Sequence, residues 1–359
     1  MIRSAQGTPY LEPSACSRLI SPVIMPTPFS VQYLDASEFL ALIGAEGPSL
    51  LGVIGYGASR PDFLPPSCPF VQADLPPLTG RPMFEVWCAP AAIRHDTCGP
   101  IQSATTEDIV FGMIQLDQTD GMPLQNAVSQ AYAAIFDFLA ATGFEAPLRF
   151  WNYLPKITDP ENGMERYRRF NVGRSEVFST RLRLPVPPAA SAVGGQGGAP
   201  IIYFLAAKTP AKPIENPRQV SAFNYPPAYG PSSPKFSRAA VFGTDGARTL
   251  LVSGTASIVG HQSRHLGDPA AQMAETLENI AALIAEAGAG EFVPGQAQWI
   301  VKAYIRDPAY FEVVKAGIDE MFGADCKRLY LHADICRPEL LLEIEAICMA
   351  RGYVSDTAQ

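Results

Sequence analysis

The chain lacks the features that would place it in a membrane or on a nucleic acid. It has 359 residues and a net charge of −8, which gives no support to a nucleic-acid partner or an anionic membrane surface. It has no run of about 18 apolar residues, so no membrane-spanning helix is predicted. The negative charge does not exclude an anionic small molecule, because a few arginines can make a pocket locally positive.

The cysteine pattern does not fit a disulfide framework. There are seven cysteines, an odd number, and no two of them have CxxC spacing. The first 19 residues contain no apolar segment typical of a signal peptide. We therefore expect free thiols and a cytoplasmic location.

Cofactor-binding motifs are also missing. No GxGxxG or Walker sequence occurs, and "GGQGG" at 194–198 is not followed by a helical pattern, so it is interpreted as a loop. His261 and His265 are four residues apart, a spacing that could bind a metal on a helix, but no third ligand is nearby. We expect no metal and no cofactor.

One order of elements occurs twice in the chain: helix, strand, helix, strand. The order rests on apolar periodicity. In the first half these elements are predicted at 124–142, 148–157, 162–182 and 200–208, with Gly143 as a C-cap. In the second half they are predicted at 271–288, 297–307 and 308–323, followed by a closing pair of strands within 328–347. The repeat predicts an α+β fold of two halves, each a mixed sheet backed by two helices.

The domain boundaries follow from this repeat. Residues 1–209 form the first domain, with front strands and a proline-rich extension before residue 120. The segment 210–237 is rich in proline and tyrosine and is predicted to be an ordered crossing segment. Residues 238–359 form the second domain, which opens with a hairpin at 239–260 turning at "TDGA".

The segment "LLLEIEAI" in the closing strand raises a question about its two acids. Leu342, Ile344 and Ala346 alternate onto one face, which leaves Glu343 and Glu345 on the other. On an ordinary half-buried strand both carboxylates would lie in water. Alternatively, one of them lines a pocket and transfers protons.

The second half resembles the YjgF/RidA family, a group of small trimeric proteins with a chorismate-mutase-like fold. In that family an arginine stands fifteen residues before the first glutamate of a closing "EIEA", and here Arg328 and Glu343 have this relation. "LLVSGTAS" resembles the family's early strand. The first half has Ala190 where the arginine would stand and no "EIE" in "IIYFLAAK". The resemblance implies two RidA-like halves, of which the first is degenerate.

Several longer segments resemble the chorismatases, RidA-like enzymes that act on chorismate. The segments are "RFWNYLPKI", "GMERYRRFNVGRSEVF", "NPRQVSAFNYP", "LLVSGTASIVGHQSRHLGD" and "ADICRPELLLEIE". This resemblance implies a small-molecule substrate, chorismate, and release of pyruvate from it. The oligomeric state, monomer or homotrimer, stays open.

The resemblance implies roles for individual residues. Arg328 would bind one substrate carboxylate, and Glu343 would move the proton from an apolar, desolvated setting. Tyr167 and Arg174 are seven residues apart on one helical face and are candidates for a second clamp, although Arg166 or Arg169 could replace them. Tyr153 and Tyr225 are candidates for closing the pocket, with core packing an equal alternative for Tyr153.

Gly254 and Cys336 bear on the product. The resemblance to the chorismatases implies a product. Enzymes of that family that form 3-hydroxybenzoate, alone or with 4-hydroxybenzoate, typically have a glycine in the "SGTAS" strand and a cysteine seven residues before the glutamate. The alternatives are hydrolysis of chorismate to a dihydroxycyclohexadiene carboxylate, imine deamination of the RidA kind, and ligand binding without turnover.

Overall fold

The computed structural model describes residues 27–44, 49–118, 121–244, 247–288 and 290–350. These residues form an α+β structure with mixed sheets, as the element order predicted. Five α-helices occur in the described ranges: α1 Ala36–Gly44, α2 Leu124–Thr142, α3 Arg166–Arg181, α4 Pro269–Gly288 and α5 Phe311–Phe322. None of the helices in these ranges is long and apolar enough to cross a membrane.

The N-terminal part forms a sheet of its own. Its strands are β1 Ser30–Leu34, β2 Ser49–Tyr56, β3 Phe70–Ala73 and β4 Met83–Ala89, in the order β1-β4-β2-β3. Phe39 of α1 is fully buried in a small apolar cluster on this sheet. The expectation that residues before 120 supply only front strands and decoration to the first half is therefore wrong for residues 30–89.

A seven-stranded sheet carries α2 and α3. Its strands are β5 Arg94–Cys98, β6 Ile101–Thr105, β7 Ile109–Gln115, β8 Ala146–Tyr153, β11 Ala189–Gly194, β12 Ile201–Ala207 and β20 Asp334–Ile335, in the order β20-β11-β8-β12-β7-β6-β5. The pair β8–β11 is parallel. The short pair β9 Pro160–Glu161 and β10 Met164–Glu165 leads into α3. Gly143 ends α2 in the left-handed conformation (φ 78°), which confirms the predicted C-cap.

A six-stranded sheet carries α4 and α5. Its strands are β13 Lys212–Ile214, β14 Ala239–Phe242, β15 Thr249–Thr255, β18 Gln298–Ile305, β19 Lys327–His332 and β21 Leu342–Met349, in the order β13-β14-β15-β21-β18-β19. β14 and β15 form the predicted hairpin, and β16 Ile258–Val259 and β17 Gln262–Ser263 form a second short one. The predicted closing strands β19 and β21 do not pair with each other, because β18 lies between them.

The inward faces of the three sheets share one central core. On β18, Ile300 and Tyr304 point into this core, while Val301 and Ala303 contact the layer of α4 and α5. β21 is buried on both faces in the same way. Glu343 and Glu345 point inward and are 5% and 4% exposed. The interpretation of β21 as a half-buried strand with both carboxylates in water is therefore wrong.

Candidate active site

A cavity of about 230 Å³ lies where the seven-stranded and six-stranded sheets meet. β11 and β15 form one side, α3 forms another, and the crossing segment covers it. The polar and aromatic side chains that line it come from all these elements: Glu165, Tyr167, Arg168, Arg174, Ser191, Tyr225, Tyr229, Phe236, Arg238, Cys336, Arg337, Glu339 and Glu343. The cavity therefore combines residues of both halves of the chain.

Glu343 reaches the cavity from the central face of β21. Burial and, second, the negative charge of Glu345 together raise the pKa of its carboxyl to about 8, against the opposing effect of Arg149 and Arg238. Among the described residues no side chain or backbone group hydrogen-bonds this carboxyl. A group with a pKa near neutrality in a cavity is suited to donate and accept protons.

Gly254 makes room for this carboxyl. A Cβ atom at position 254 would lie 2.0 Å from Oε1 of Glu343, a clash that excludes any larger residue in this arrangement. The ladder between β15 and β21 also shifts register between Val252 and Thr255, so the sheet is irregular beside Glu343. The Gly254 backbone N–H donates to the hydroxyl of Ser191 (2.9 Å).

Four arginines line the cavity, and three of them, Arg174, Arg238 and Arg337, pack against aromatic side chains. Arg174 is buried and stacks on Phe170, with its guanidinium carbon 4.5 Å from the ring centre. Arg238 is also buried and donates to the Tyr225 hydroxyl (2.7 Å). Arg337 stacks over Tyr229 at 4.2 Å. Nε of Arg174 and of Arg238 has no hydrogen-bond partner among the described residues. An anionic ligand would supply acceptors for these donors.

Tyr167 and Cys336 line the cavity with groups that are neutral at physiological pH. Burial raises the pKa of the Tyr167 hydroxyl above its ordinary value. Burial and the charge of Glu343 raise the pKa of the Cys336 thiol to about 12. Both can therefore donate hydrogen bonds, and neither is an ionised nucleophile.

Two predicted binding residues lie outside the cavity. Arg328 belongs to β19, with the strand β18 between it and β21. Its guanidinium pairs with Asp319 and donates to the carbonyl of Gly323. The family spacing of fifteen residues is present, but here it does not bring this arginine to Glu343.

Tyr153 points into the central core instead of the cavity. Its hydroxyl lies 2.7 Å from that of Tyr56 and 3.2 Å from Nζ of Lys302. Its side chain is on the inward face of β8, so the core-packing alternative holds. Tyr225, the other tyrosine proposed to close the pocket, does line it.

Arg238, Arg337 and Tyr229 were not among the predicted site residues. Tyr229 belongs to the crossing segment, and the two arginines lie outside any periodic pattern. Arg337 follows Cys336 directly, and Arg238 stands just before β14 at the end of the crossing segment. That adjacency is a signal that could have directed attention to both.

His261 and His265, which have a spacing that could bind a metal on a helix, contact different partners in the structure. His261 lies against the Tyr229 hydroxyl (3.0 Å), and His265 lies against Glu275 (3.2 Å). No group of three or more potential ligands occurs in the residues that the structure describes.

Comparison with known proteins matches this chain to one family. A 3-hydroxybenzoate synthase from Streptomyces hygroscopicus is 33% identical over 317 residues, which cover 84% of this chain and 92% of that protein. The chain belongs to the chorismatase family. A chorismatase from Streptomyces rapamycinicus is also 33% identical, over 83% of this chain and 92% of its own length.

The family model and a solved structure support the same membership. Residues 85–206 match the model described as chorismatase FkbO/Hyg5-like, N-terminal. A chorismatase crystal structure superposes with a TM-score of 0.79 at 28% identity, and covers 90% of this chain and 99% of its own. The chorismatase fold thus extends over the four-stranded sheet as well as the two larger ones.

Proposed function

We propose that this chorismatase releases pyruvate from chorismate and forms 3-hydroxybenzoate, with or without the 4-isomer. The observation that carries the proposal is Glu343: a buried carboxyl with a pKa of about 8 on the wall of a cavity that also contains arginines. The relatives named as 3-hydroxybenzoate synthase and chorismatase supply the substrate class.

Glu343 is proposed to protonate the methylene carbon of the enolpyruvyl group. Protonation makes the ether carbon electrophilic, water adds to it, and the carbon–oxygen bond breaks to release pyruvate. A carboxyl with a pKa near the working pH suits this task, because it holds the proton in the resting enzyme and its anion is basic enough to recover it.

The cavity arginines are proposed to hold the two carboxylates of the substrate. Arg174 lies on the α3 side, and Arg238 and Arg337 lie with the crossing segment and the loop after β20. Their separation on different elements suits a ligand with an acid at each end, whereas a small imine would need one clamp. Arg328 is not proposed to bind a substrate carboxylate, because its guanidinium already pairs with Asp319.

Gly254 and Cys336 support formation of a hydroxybenzoate over simple hydrolysis of chorismate. Hydrolysis of chorismate leaves a diene that keeps both ring oxygens, whereas a hydroxybenzoate has lost one more water from the ring. Gly254 leaves space beside Glu343, and the thiol of Cys336 is a neutral donor within the same cavity. We propose that Cys336 assists the second loss by hydrogen bonding or proton relay.

The two larger sheets with their helix pairs are proposed to be the two RidA-like halves, joined by the crossing segment 210–237. The cavity is lined by both halves of one chain, which supports a catalytically complete monomer. Light scattering on active fractions would test the monomer, since activity confined to a trimer peak would contradict it.

The six cysteines in the described residues have free thiols, which supports a reducing cytoplasm as the proposed location.

Product analysis tests the function. Purified protein is incubated with chorismate, and the products are separated against authentic hydroxybenzoates and the dihydrodiol, with pyruvate measured by lactate dehydrogenase. We expect pyruvate and hydroxybenzoate in equal amounts, and a loss of about 10²-fold or more in Glu343→Gln. A dihydroxycyclohexadiene carboxylate as the product would contradict the formation of hydroxybenzoate. Absence of pyruvate would contradict the proposal and leave imine deamination as the next activity to assay.

A further inference from the structure

We propose that Glu345 is a positioning residue whose fixed negative charge, held by two buried cations, disfavours ionisation of Glu343 on the same face of β21. The proposal deepens the function above and rests on Glu343 as the proton donor. The two carboxyls are separated by a single residue, Ile344, and both are almost fully buried. The resemblance to RidA-like proteins carries no role for the second acid of "EIEA".

The charge of Glu345 is fixed by four donors. Lys302 Nζ and Trp151 Nε1 each lie 3.0 Å from its Oε1. Arg149 Nη2 and the hydroxyl of Ser191 lie 3.0 Å and 2.5 Å from its Oε2. Burial alone would raise the pKa of Glu345, but Lys302 and Arg149 outweigh it and hold that pKa below its ordinary value.

The surrounding charges balance without Glu343. Lys302 also pairs with Glu85 of the four-stranded sheet (2.6 Å), so two carboxylates oppose two cations in the central core. An ionised Glu343 would add a negative charge that this network does not compensate. In a region of low polarity such a charge is costly, so the proton stays on Glu343.

Arg238 is the cavity cation that opposes this effect most directly, since it lowers the pKa of Glu343. A dianionic ligand that pairs with Arg238 would weaken that opposition, and binding would then favour the acid form of Glu343 further. The titratable groups that interact with Glu343, lie opposite it on β18 or line the cavity with it are Glu345, Arg149, Tyr304, Glu165, Tyr167, Arg168, Arg174, Tyr225, Tyr229, Arg238, Cys336, Arg337 and Glu339.

Direct titration of Glu343 tests the proposal without substrate. The full chain is labelled with glutamate carrying ¹³C at the side-chain carboxyl, and the Glu343 resonance is assigned by its loss in Glu343→Gln. We expect a midpoint well above the usual 4.3 or so of glutamate in the wild type. In Glu345→Gln we expect the midpoint to fall by about one unit or more, a tenfold change in acidity.

A matched variant separates this effect from disturbance of the core. Glu85→Gln removes a carboxylate from the same network, but on the far side of Lys302, and should move the Glu343 midpoint far less. If Glu345→Gln does not fold, the charge-balanced double variant Glu345→Gln/Lys302→Met carries the same expectation. A wild-type midpoint near 4.3, or equal midpoints with and without Glu345, would overturn the proposal.

The pH profile of pyruvate release then links the titration to catalysis. The upper limb for kcat/KM, on which activity falls as Glu343 loses its proton, should move to lower pH in Glu345→Gln and stay in place in Glu85→Gln. A merely structural role for Glu345 would lower activity at all pH values alike and contradict the proposal. If the wild type releases no pyruvate, the proposed function fails, while the titration still decides whether Glu345 controls Glu343.

Discussion

The central core and the cavity meet along one face of β21 and treat a carboxyl group in opposite ways. In the core, Glu345 is surrounded by Lys302, Arg149 and Ser191, and its pKa is held low. On the cavity side, Glu343 lacks such partners and its pKa is about 8. Two acids with the same burial therefore have opposite protonation at neutral pH. The difference shows that partners, and not burial alone, decide whether a buried acid is structural or reactive.

The largest expected effect of a substitution is a loss of stability when the cation of the core network is removed. Lys302→Met leaves Glu85 and Glu345 without their shared cation, which should cost about 3–5 kcal/mol of unfolding free energy. Urea denaturation at pH 7 measures it. The control Lys315→Met removes a surface lysine that pairs with Asp319, and should cost no more than about 1 kcal/mol. Equal effects of the two variants would contradict a special role for the core network.

The pH dependence of stability should report the raised pKa of Glu343 on the cavity side. Folding raises the pKa of Glu343 from an ordinary 4.5 to about 8, so the folded state binds the extra proton between these values. This contribution to stability is full below pH 4.5 and is lost by about pH 8, and at about 1.4 kcal/mol per pKa unit it amounts to about 5 kcal/mol. Glu343→Gln cannot titrate and should lack that loss. Parallel stability curves of the two proteins from pH 5 to pH 8 would refute it.

Gly254→Ala should move Glu343 without changing its chemistry. The added methyl group would meet the Glu343 carboxyl at 2.0 Å, so the acid must shift. A displacement of about 1 Å commonly reduces turnover by about 100-fold, and we expect a fall of that order in kcat. The control Gly290→Ala places a methyl group where none of the described atoms lies within 4 Å. Wild-type kcat in Gly254→Ala would mean that the close approach has no functional weight.

A smaller effect should distinguish a cavity arginine from the arginine of the family spacing. Arg238→Lys keeps the charge but loses the planar fork, and we expect KM for chorismate to rise about tenfold. Arg328→Lys is the matched variant outside the cavity and should leave KM within about twofold. Steady-state pyruvate release measures both. The reverse ranking would return the carboxylate clamp to Arg328.

Much of the fold could be predicted because its elements are strongly periodic. The helices at 124–142 and 271–288 lie within two residues of α2 and α4, and the 239–260 hairpin pairs as expected. The order of strands in space could not be predicted, since β18 separates β19 from β21 and β20 crosses to the other large sheet. Such pairing depends on long-range contacts, which leave no periodic trace in sequence.

The site residues also fall into a predicted group and a group that the sequence did not predict. The family resemblance and the helical spacing of Tyr167 and Arg174 predicted six site residues that all line the cavity: Glu343, Cys336, Gly254, Tyr167, Arg174 and Tyr225. The same reasoning misplaced Arg328 and Tyr153, because a spacing along the chain does not say which face or which strand a side chain takes. Arg238 and Arg337 were missed, as they reach the cavity from loops without a regular pattern.

The sequence by itself determined the α+β class, the main helices and the pair of glutamates on one face of a strand, because alternation and helical period are local properties. Only the tertiary structure decided which glutamate is ionised. Lys302, Arg149 and Ser191 come from three strands distant in sequence and converge on Glu345, while Gly254 leaves Glu343 open to the cavity. Electrostatic free energy depends on distance and desolvation in space, and both exist only once the three sheets have packed.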